Sequence, residues 1–91
     1  MLRPPVYYVY IAKCADGTYY TGQTENIALR EKEHNGSGNF PGAEYTQSRR
    51  PVKVVHIEPY QTRSFAMLRE KELKALSHQQ KYDLINCLAI Y

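Results

Sequence analysis

Two phenols, a guanidinium and an imidazole occur between residues 10 and 34 of this 91-residue chain at spacings that bring them together. Tyr10 and Tyr20 lie on either side of an Asp-Gly pair, which favours a tight hairpin turn because Gly accepts positive φ. Arg30 and His34 follow at i, i+4 spacing, which places both side chains on one helix face. The four side chains therefore predict a phosphate site within one compact strand-strand-helix unit.

Each of these residue types also has an ordinary structural explanation. Tyr10 and Tyr20 alone fit half-buried strand tyrosines. Arg30 and His34 alone fit a solvated helix face. For a metal-binding carboxylate, the local sequence leaves Glu70 and Glu72 open, since both lie among other charged residues of a late helix.

The elements that must position these residues follow from β-branched and aromatic runs, which favour strands, and from capping residues, which begin helices. The first strand is apolar on both faces, as expected for a central strand that is covered on both sides. Residues 36–42 have the composition of a surface loop. Predicted strands are 6–13, 18–23 and 52–58, the last stopped by Pro59. Predicted helices are 26–35, capped by Thr24 or Asn26, a short turn in 43–50, one from Thr62 or Ser64 to Leu76, and one from the capping box at Ser77 to Asn86.

This order of elements predicts a small α+β domain with a three-stranded antiparallel sheet flanked by helices. A chain of this length makes one domain, here residues 1–91 with a core of about 6–86. Twelve Lys and Arg against nine Asp and Glu give a net charge of +3, which suits a polyanionic partner without requiring one.

The remaining reactive side chains favour structural roles. Cys14 and Cys87 belong to no ligand pattern, so we expect reduced, mostly buried thiols and no structural zinc. His56 and His78 are expected to be structural or solvated. The chain shows no signal sequence and no apolar run long enough to cross a bilayer, which predicts a cytoplasmic protein without a membrane partner.

In these motifs the chain resembles the GIY-YIG nuclease superfamily, and most closely its small single-domain bacterial YhbQ-like members. Tyr8-Val9-Tyr10 stands where the family has Gly-Ile-Tyr, and Tyr20-Thr21-Gly22 stands where it has Tyr-Ile-Gly. The likeness covers roughly residues 6–86. Further matches are Arg30 and His34 for an Arg-x-x-x-His motif, Gly42-Ala43, Thr46 and Arg49-Arg50-Pro51 for a second block, and residues 66–70 for the segment with the acidic metal ligand.

The resemblance implies roles for single residues. Tyr10 and Tyr20 would orient or deprotonate the attacking water, with His34 in support. Arg30 would stabilise the phosphoryl charge. Glu70, rather than Glu72, would hold Mg²⁺ or Mn²⁺, since a lone carboxylate suffices for an ion that keeps several waters.

Nucleic-acid binding is expected next to this site. Arg49, Arg50 and Lys53 would follow a phosphate backbone, although solubilising charge is their ordinary role. Tyr45 would stack on a base or simply pack. Thr46 belongs to the same block.

The resulting prediction is a Mg²⁺-dependent nuclease, acting on DNA more than on RNA, in DNA repair or processing. Glu31 stands where the family has an apolar residue, and a carboxylate beside Arg30 is expected to weaken the hold of Arg30 on phosphate. This motivates an alternative, a nucleic-acid-binding module of the same fold with weak or no catalysis. A protein-interaction domain is the third hypothesis.

Overall fold

The structure is a computed structural model that describes residues 6–36 and 44–87. Strands β1 (Tyr7–Cys14), β2 (Tyr19–Thr24) and β3 (Val52–Tyr60) form one antiparallel sheet in the order β2-β1-β3. The helices are α1 (Ile27–His34), α2 (Glu44–Gln47), α3 (Arg63–Lys74) and α4 (His78–Ile85). The predicted α+β class is confirmed, while residues 37–43, with most of the predicted loop and the Gly42-Ala43 match, lie outside the described residues.

The central strand β1 is buried on both faces, as its sequence predicts. Val9 and Ile11 pack on one face against Ala66 and Leu73 of α3. Burial of such side chains contributes about 1.5–3 kcal/mol each. The opposite face of the sheet holds Tyr10, Ala12, Cys14 and Val52, with Tyr20, Ile27 and Val54 packed against them.

The hairpin between β1 and β2 turns at the predicted Asp-Gly pair. Gly17 has a φ of 85°, a conformation that costs other residues energy. The Asp16 carboxylate accepts hydrogen bonds from the backbone N–H and the hydroxyl of Thr18, at 3.0 and 2.6 Å. The turn fixes a register in which Tyr10 lies opposite Gly22.

Three helices begin at predicted capping residues. The Asn26 side chain accepts from the backbone N–H of Leu29 at the start of α1, and Thr62 caps α3 in the same way. Ser77 and Gln80 form the predicted capping box of α4. Each cap satisfies a backbone donor that the helix leaves unpaired.

Strand β3 runs through Pro59, so the prediction that this proline ends the strand is wrong. The physical reason is that, among the strands of the described residues, β3 lies at an edge of the sheet and pairs with β1 alone. A proline is tolerated where one side of the backbone needs no partner strand.

The outer edge of β3 is covered by side chains of α1 and its C-cap. Glu31 Oε2 accepts from the backbone N–H of Val54 at 2.7 Å. Asn35 accepts from the N–H of Val52 at 2.7 Å and donates to its carbonyl at 2.8 Å. These bonds occupy backbone groups that would otherwise invite another strand.

The predicted structural residues lie in such roles. Cys14 is buried, Cys87 is half-buried, and both are free thiols. His78 stacks on Tyr19 at 4.6 Å between ring centroids and donates to the Gly17 carbonyl at 2.9 Å. Across residues 6–36 and 44–87, no helix has the length and apolar character needed to cross a membrane.

Candidate active site

A buried hydrogen-bond chain links β1, α1 and α2. The Tyr10 hydroxyl lies 2.7 Å from His34 Nε2, and His34 Nδ1 lies 2.8 Å from Thr46 Oγ1. All three side chains are almost completely buried. Helix α1 begins three residues after β2, which brings His34 back over the sheet against Tyr10.

The protonation of this chain follows from its burial. Burial raises the pKa of Tyr10 to about 12, although the neighbouring Arg30 guanidinium favours the phenolate. Burial, and then the charge of Arg30, lower the pKa of His34 to about 4. At neutral pH both groups are therefore uncharged, and one ring nitrogen of His34 donates while the other accepts.

Because a neutral imidazole lies between two hydroxyls, the donors and acceptors of this hydrogen-bond chain can be arranged in either direction. In one direction Tyr10 donates to Nε2 and Nδ1 donates to Thr46. In the other, Thr46 donates to Nδ1 and Nε2 donates to Tyr10. A change from one direction to the other moves a proton to or from the phenol oxygen, so these hydrogen bonds, called the relay below, are able to carry a proton.

Gly22 leaves the space into which the Tyr10 phenol extends. A Cβ at this position would lie 2.7 Å from the Tyr10 hydroxyl oxygen and 3.1 Å from a ring carbon of Tyr20. Real Cβ atoms essentially never show a contact as short as the 2.7 Å to the hydroxyl oxygen. The glycine is thus required by the phenol across the strand pair.

Arg30 and Tyr20 lie beside the relay. The Tyr20 ring centroid is 5.1 Å from that of His34 and 6.3 Å from that of Tyr10. Arg30 Nη1 donates to Glu33 Oε1 at 3.0 Å. The carboxylate that holds Arg30 is thus Glu33, while Glu31 faces β3, so the expectation that Glu31 competes for Arg30 is wrong.

Glu70 reaches the same region from α3, on the opposite face of the sheet. Its carboxylate accepts from Gln23 Nε2 at 3.0 Å and from Lys74 Nζ at 2.7 Å. The side chain is only 17% exposed. Its charge contributes to the raised pKa of Tyr10, so carboxylate and phenol influence each other across the edge strand β2.

A divalent cation fits this donor set only if it keeps most of its own ligands. Within the described part of the chain, no three His, Cys, Asp or Glu side chains cluster as a metal site. Glu70 is a single, well-anchored carboxylate beside an open cavity lined also by Gln23, Met67, Lys71 and Lys74. This matches Mg²⁺, which retains waters and accepts substrate phosphate oxygens as ligands.

The residues proposed for nucleic-acid binding divide into packed and free side chains. Tyr45 stacks on Tyr20 at 6.0 Å between centroids, and the Arg49 guanidinium lies 4.0 Å from the centre of its ring. Arg49 also donates to Asp16 at 3.1 Å, and Arg50 donates to the His34 carbonyl at 2.7 Å. These contacts hold α2 against the hairpin and the end of α1.

Thr46 and Lys53 lie at opposite extremes of exposure. Thr46 is fully buried behind the imidazole, so its hydroxyl orients His34 instead of facing solvent as a nucleic-acid contact would. Lys53 is exposed on β3, opposite Lys13. The two lysines form a small positive surface on the sheet.

A comparison with protein families shows which family has this arrangement of residues. The model of the GIY-YIG catalytic domain matches residues 6–83. The chain belongs to the GIY-YIG family. Membership supports a nuclease-like role and implies a nucleic-acid substrate.

Curated relatives share this small size. The chain is 52% identical over 81 residues to a UPF0213 protein of Desulfotalea psychrophila, and this match covers 89% of this chain and 72% of the relative. It is 51% identical over 78 residues to a UPF0213 protein of Syntrophus aciditrophicus, covering 86% of this chain and 87% of the relative. The predicted membership among small single-domain GIY-YIG proteins is confirmed.

Solved structures share the fold. The solution NMR structure of the E. faecalis protein EF2693 superposes with a TM-score of 0.62 at 33% identity, covering 100% of this chain and 94% of that one. The solution NMR structure of the UPF0213 protein BH0048 of Bacillus halodurans superposes with a TM-score of 0.57 at 36% identity, covering 91% of this chain and 85% of that one.

Within the GIY-YIG domain, the structure brings Tyr10, Tyr20, Arg30 and His34 into one cluster and places Glu70 beside it. Their catalytic roles stay predictions. Sequence reasoning named Gly22 only as part of a motif and missed Glu33 and Lys74, and the structure adds all three to the site. Gly22 is signalled by a glycine inside a strand, and Glu33 and Lys74 by their i, i+3 and i, i+4 spacing from Arg30 and Glu70.

Proposed function

We propose that this GIY-YIG protein is a metal-dependent nuclease that hydrolyses phosphodiester bonds of nucleic acid, with DNA preferred over RNA. The observation that carries the proposal is the buried relay from Thr46 through His34 to Tyr10. An uncharged imidazole behind a phenol can take up the phenol proton, and a guanidinium beside them can stabilise charge on a phosphate.

The relay supplies the proton transfer. A water between Tyr10 and the phosphate gives a proton to the phenol oxygen while the phenol proton passes to His34 Nε2. In this step the hydrogen bonds run from Tyr10 to Thr46, because Nε2 accepts from the phenol while Nδ1 donates to Thr46. The resulting imidazolium is unfavourable in this buried position, so the proton returns through Tyr10 to the leaving oxygen as its bond to phosphorus breaks, and the relay resets.

Arg30 and Tyr20 act on the phosphate. The Arg30 guanidinium stabilises charge on the non-bridging oxygens, and its ion pair with Glu33 fixes its position. Tyr20, packed between His34 and Tyr45, orients the water or the phosphate. Glu70 is the residue that would hold Mg²⁺ or Mn²⁺, which when bound supplies further charge neutralisation at the phosphate.

The experiment compares cleavage by the wild type and by single variants in Mg²⁺ and in Mn²⁺. Labelled single-stranded, duplex, nicked and branched DNA, with matched RNA, reports the substrate class and a role in DNA repair or processing. Glu70→Gln and Arg30→Ala are expected to lose about 10²–10³-fold in rate, as groups that stabilise transition-state charge do.

Glu72→Gln is the matched control for Glu70, because Glu72 lies on the same helix with its side chain 68% exposed. We expect Glu72→Gln to cleave at the wild-type rate. Cleavage that survives both Glu70→Gln and Arg30→Ala in folded protein would overturn the proposal.

Binding without hydrolysis is the second candidate. The observation that favours it is that both charged site groups are already paired, Arg30 with Glu33 and Glu70 with Lys74. Salt-dependent binding of oligonucleotides without turnover in either metal would establish this function instead.

A further inference from the structure

The Glu70 carboxylate already has a cation bound to it, and that cation belongs to the chain. One oxygen accepts from the Gln23 amide and the other from the Lys74 ammonium, at 3.0 and 2.7 Å. Glu70 and Lys74 are one helical turn apart on α3. The ammonium thus lies where a metal ion approaching from the cavity would bind.

The two partners differ in how firmly they are held. The Glu70 side chain is 17% exposed and anchored by β2, whereas the Lys74 side chain is 55% exposed on a flexible stem. Exposed i, i+4 ion pairs are weak. A divalent ion attracts the same carboxylate with twice the charge, so it can displace Lys74 without disturbing Glu70.

The surroundings of Lys74 indicate where it acts after displacement. Its ammonium lies close enough to Tyr20 for the two groups to interact electrostatically. Lys81 of α4 lies within electrostatic range of Lys74, since burial and then the charge of Lys74 lower the pKa of Lys81. Lys74 thus has Tyr20 and a second ammonium group within electrostatic range, besides its ion pair with Glu70.

We propose that Lys74 is a positioning residue with two partners: it occupies Glu70 in the metal-free protein, and on metal binding it transfers to a phosphate adjoining the scissile one. The inference rests on the proposed function. It makes metal and nucleic acid bind cooperatively, because Lys74 competes with the metal for Glu70 and Glu70 competes with the strand for Lys74. An anionic strand would draw the ammonium away from Glu70, and a metal on Glu70 would free the ammonium for the strand.

Mn²⁺ binding to the full chain tests the first half of this proposal without any turnover. EPR measures the concentration of free Mn²⁺. In NMR spectra, paramagnetic broadening of the amide signals of Gln23 and Tyr20 shows where the bound ion lies. Lys74→Met is expected to tighten Mn²⁺ binding about threefold to tenfold, since it removes a direct competitor.

Lys71→Met is the matched control. Lys71 lies on the same helix and lines the same cavity, but among the described residues Glu70 forms its ion pair with Lys74. Its loss removes the same charge but no competitor, so we expect a change below about twofold. Lys74→Arg restores a cation at the carboxylate and should return Mn²⁺ affinity towards the wild-type value.

A single-stranded oligonucleotide in Ca²⁺ tests the second half. Wild type is expected to bind the strand more tightly in Ca²⁺ than in EDTA, and Lys74→Met is expected to lose that gain, whereas Lys71→Met keeps it. Equal Mn²⁺ affinities for Lys74→Met and Lys71→Met, or an undiminished Ca²⁺ gain in Lys74→Met, would overturn the proposal.

Different results would contradict the proposed function and the proposed role of Lys74. Mn²⁺ binding at Gln23 that survives Glu70→Gln would remove Glu70 as the metal ligand and with it the proposed function. Binding that is lost in Glu70→Gln but unchanged in Lys74→Met would remove only the role of Lys74.

Discussion

Two polar clusters of similar composition lie on opposite faces of the sheet. Each combines a tyrosine, a histidine and an arginine with a nearby carboxylate. They differ in which group lies at the centre. The relay cluster consists of Tyr10, His34, Thr46 and Arg30 with Glu33, and the Glu58 cluster consists of His56, Glu58, Tyr60 and Arg69.

The centre of the Glu58 cluster is a charged carboxylate whose oxygens are saturated by donors. Glu58 accepts from His56 at 2.7 Å, from Tyr60 at 2.8 Å, and from two nitrogens of Arg69 at 2.8 and 3.2 Å. Burial alone would raise its pKa, but these hydrogen bonds, led by that of Arg69, lower it to about 2. Such a cluster connects β3 to α3 and has no remaining capacity for a ligand.

The centre of the relay cluster is a neutral phenol. Tyr10 and His34 are both kept uncharged by burial, and their shared proton has two available positions. The comparison shows how the same residue types serve stability or chemistry. A saturated charge contributes to folding, whereas a buried neutral pair beside Arg30 retains the capacity to transfer a proton.

The largest expected difference between the clusters is in catalysis. Tyr10→Phe removes the phenol oxygen and is expected to slow DNA cleavage by about 10²–10³-fold, the usual contribution of a general acid-base group. Tyr60→Phe removes the same atom from the Glu58 cluster and should leave the rate within about twofold. Single-turnover cleavage measures both, and equal rates for the two variants would contradict the assignment of chemistry to Tyr10.

Stability should show the opposite ranking. Glu58→Gln leaves Arg69 without its carboxylate and is expected to cost about 2–3 kcal/mol of unfolding free energy. Glu70→Gln breaks only the ion pair with the exposed Lys74, and we expect a cost below about 0.5 kcal/mol. Urea unfolding followed by circular dichroism compares them, and a larger loss in Glu70→Gln would reverse the comparison.

The two clusters should also lose stability in different pH ranges. The pKa of His34 falls from 6.5 unfolded to about 4 folded. The unfolded chain binds more protons in that interval, so stability declines as pH falls from 6.5 to about 4. The lowered pKa of Glu58 gives a stabilisation that is present above about 4.5 and is lost as pH falls to about 2.

Variants separate the two ranges. His34→Gln should flatten the loss between pH 6.5 and 4, which we expect to be of the order of 2 kcal/mol, and Glu58→Gln should flatten the lower range. Urea midpoints measured at several pH values report both slopes. An unchanged upper slope in His34→Gln would show that His34 is not held neutral by the fold.

The smallest effect concerns Thr21 of the edge strand β2. Thr21 is 3% exposed, and its hydroxyl is the buried side-chain polar atom without a hydrogen-bond partner among the described residues. Thr21→Val keeps the shape and removes the unpaired group, so we expect a gain of about 1 kcal/mol with cleavage unchanged. Thermal unfolding measures it, and a loss of stability would indicate an unrecognised partner of the hydroxyl.

Local signals predicted most of the architecture. The Asp-Gly turn, the caps at Asn26 and Thr62 and the capping box at Ser77 act within a few residues, so sequence reasoning found them. The end of β3 was wrong because tolerance of Pro59 depends on which strand has an open edge. That property belongs to the sheet and is not visible in any window of the chain.

Side-chain partners followed the same division. The sequence named Tyr10, Tyr20, Arg30 and His34 through their spacing. It proposed Thr46 as a nucleic-acid contact, where the structure buries it against His34, and it expected Glu31 to act on Arg30, where the structure pairs Arg30 with Glu33. Both outcomes depend on which way a helix faces once it has packed, and several faces are compatible with so short a helix as α1.

By itself, the sequence determined the elements, their order and the residue types able to act on a phosphate, because turns, caps and hydrophobic period are local properties of the chain. Only the tertiary structure decided that Tyr10 lies against a neutral His34 and that Glu70 is bound by Lys74. Burial and distance set the protonation and pairing of these groups, and both quantities arise only when separate elements pack together.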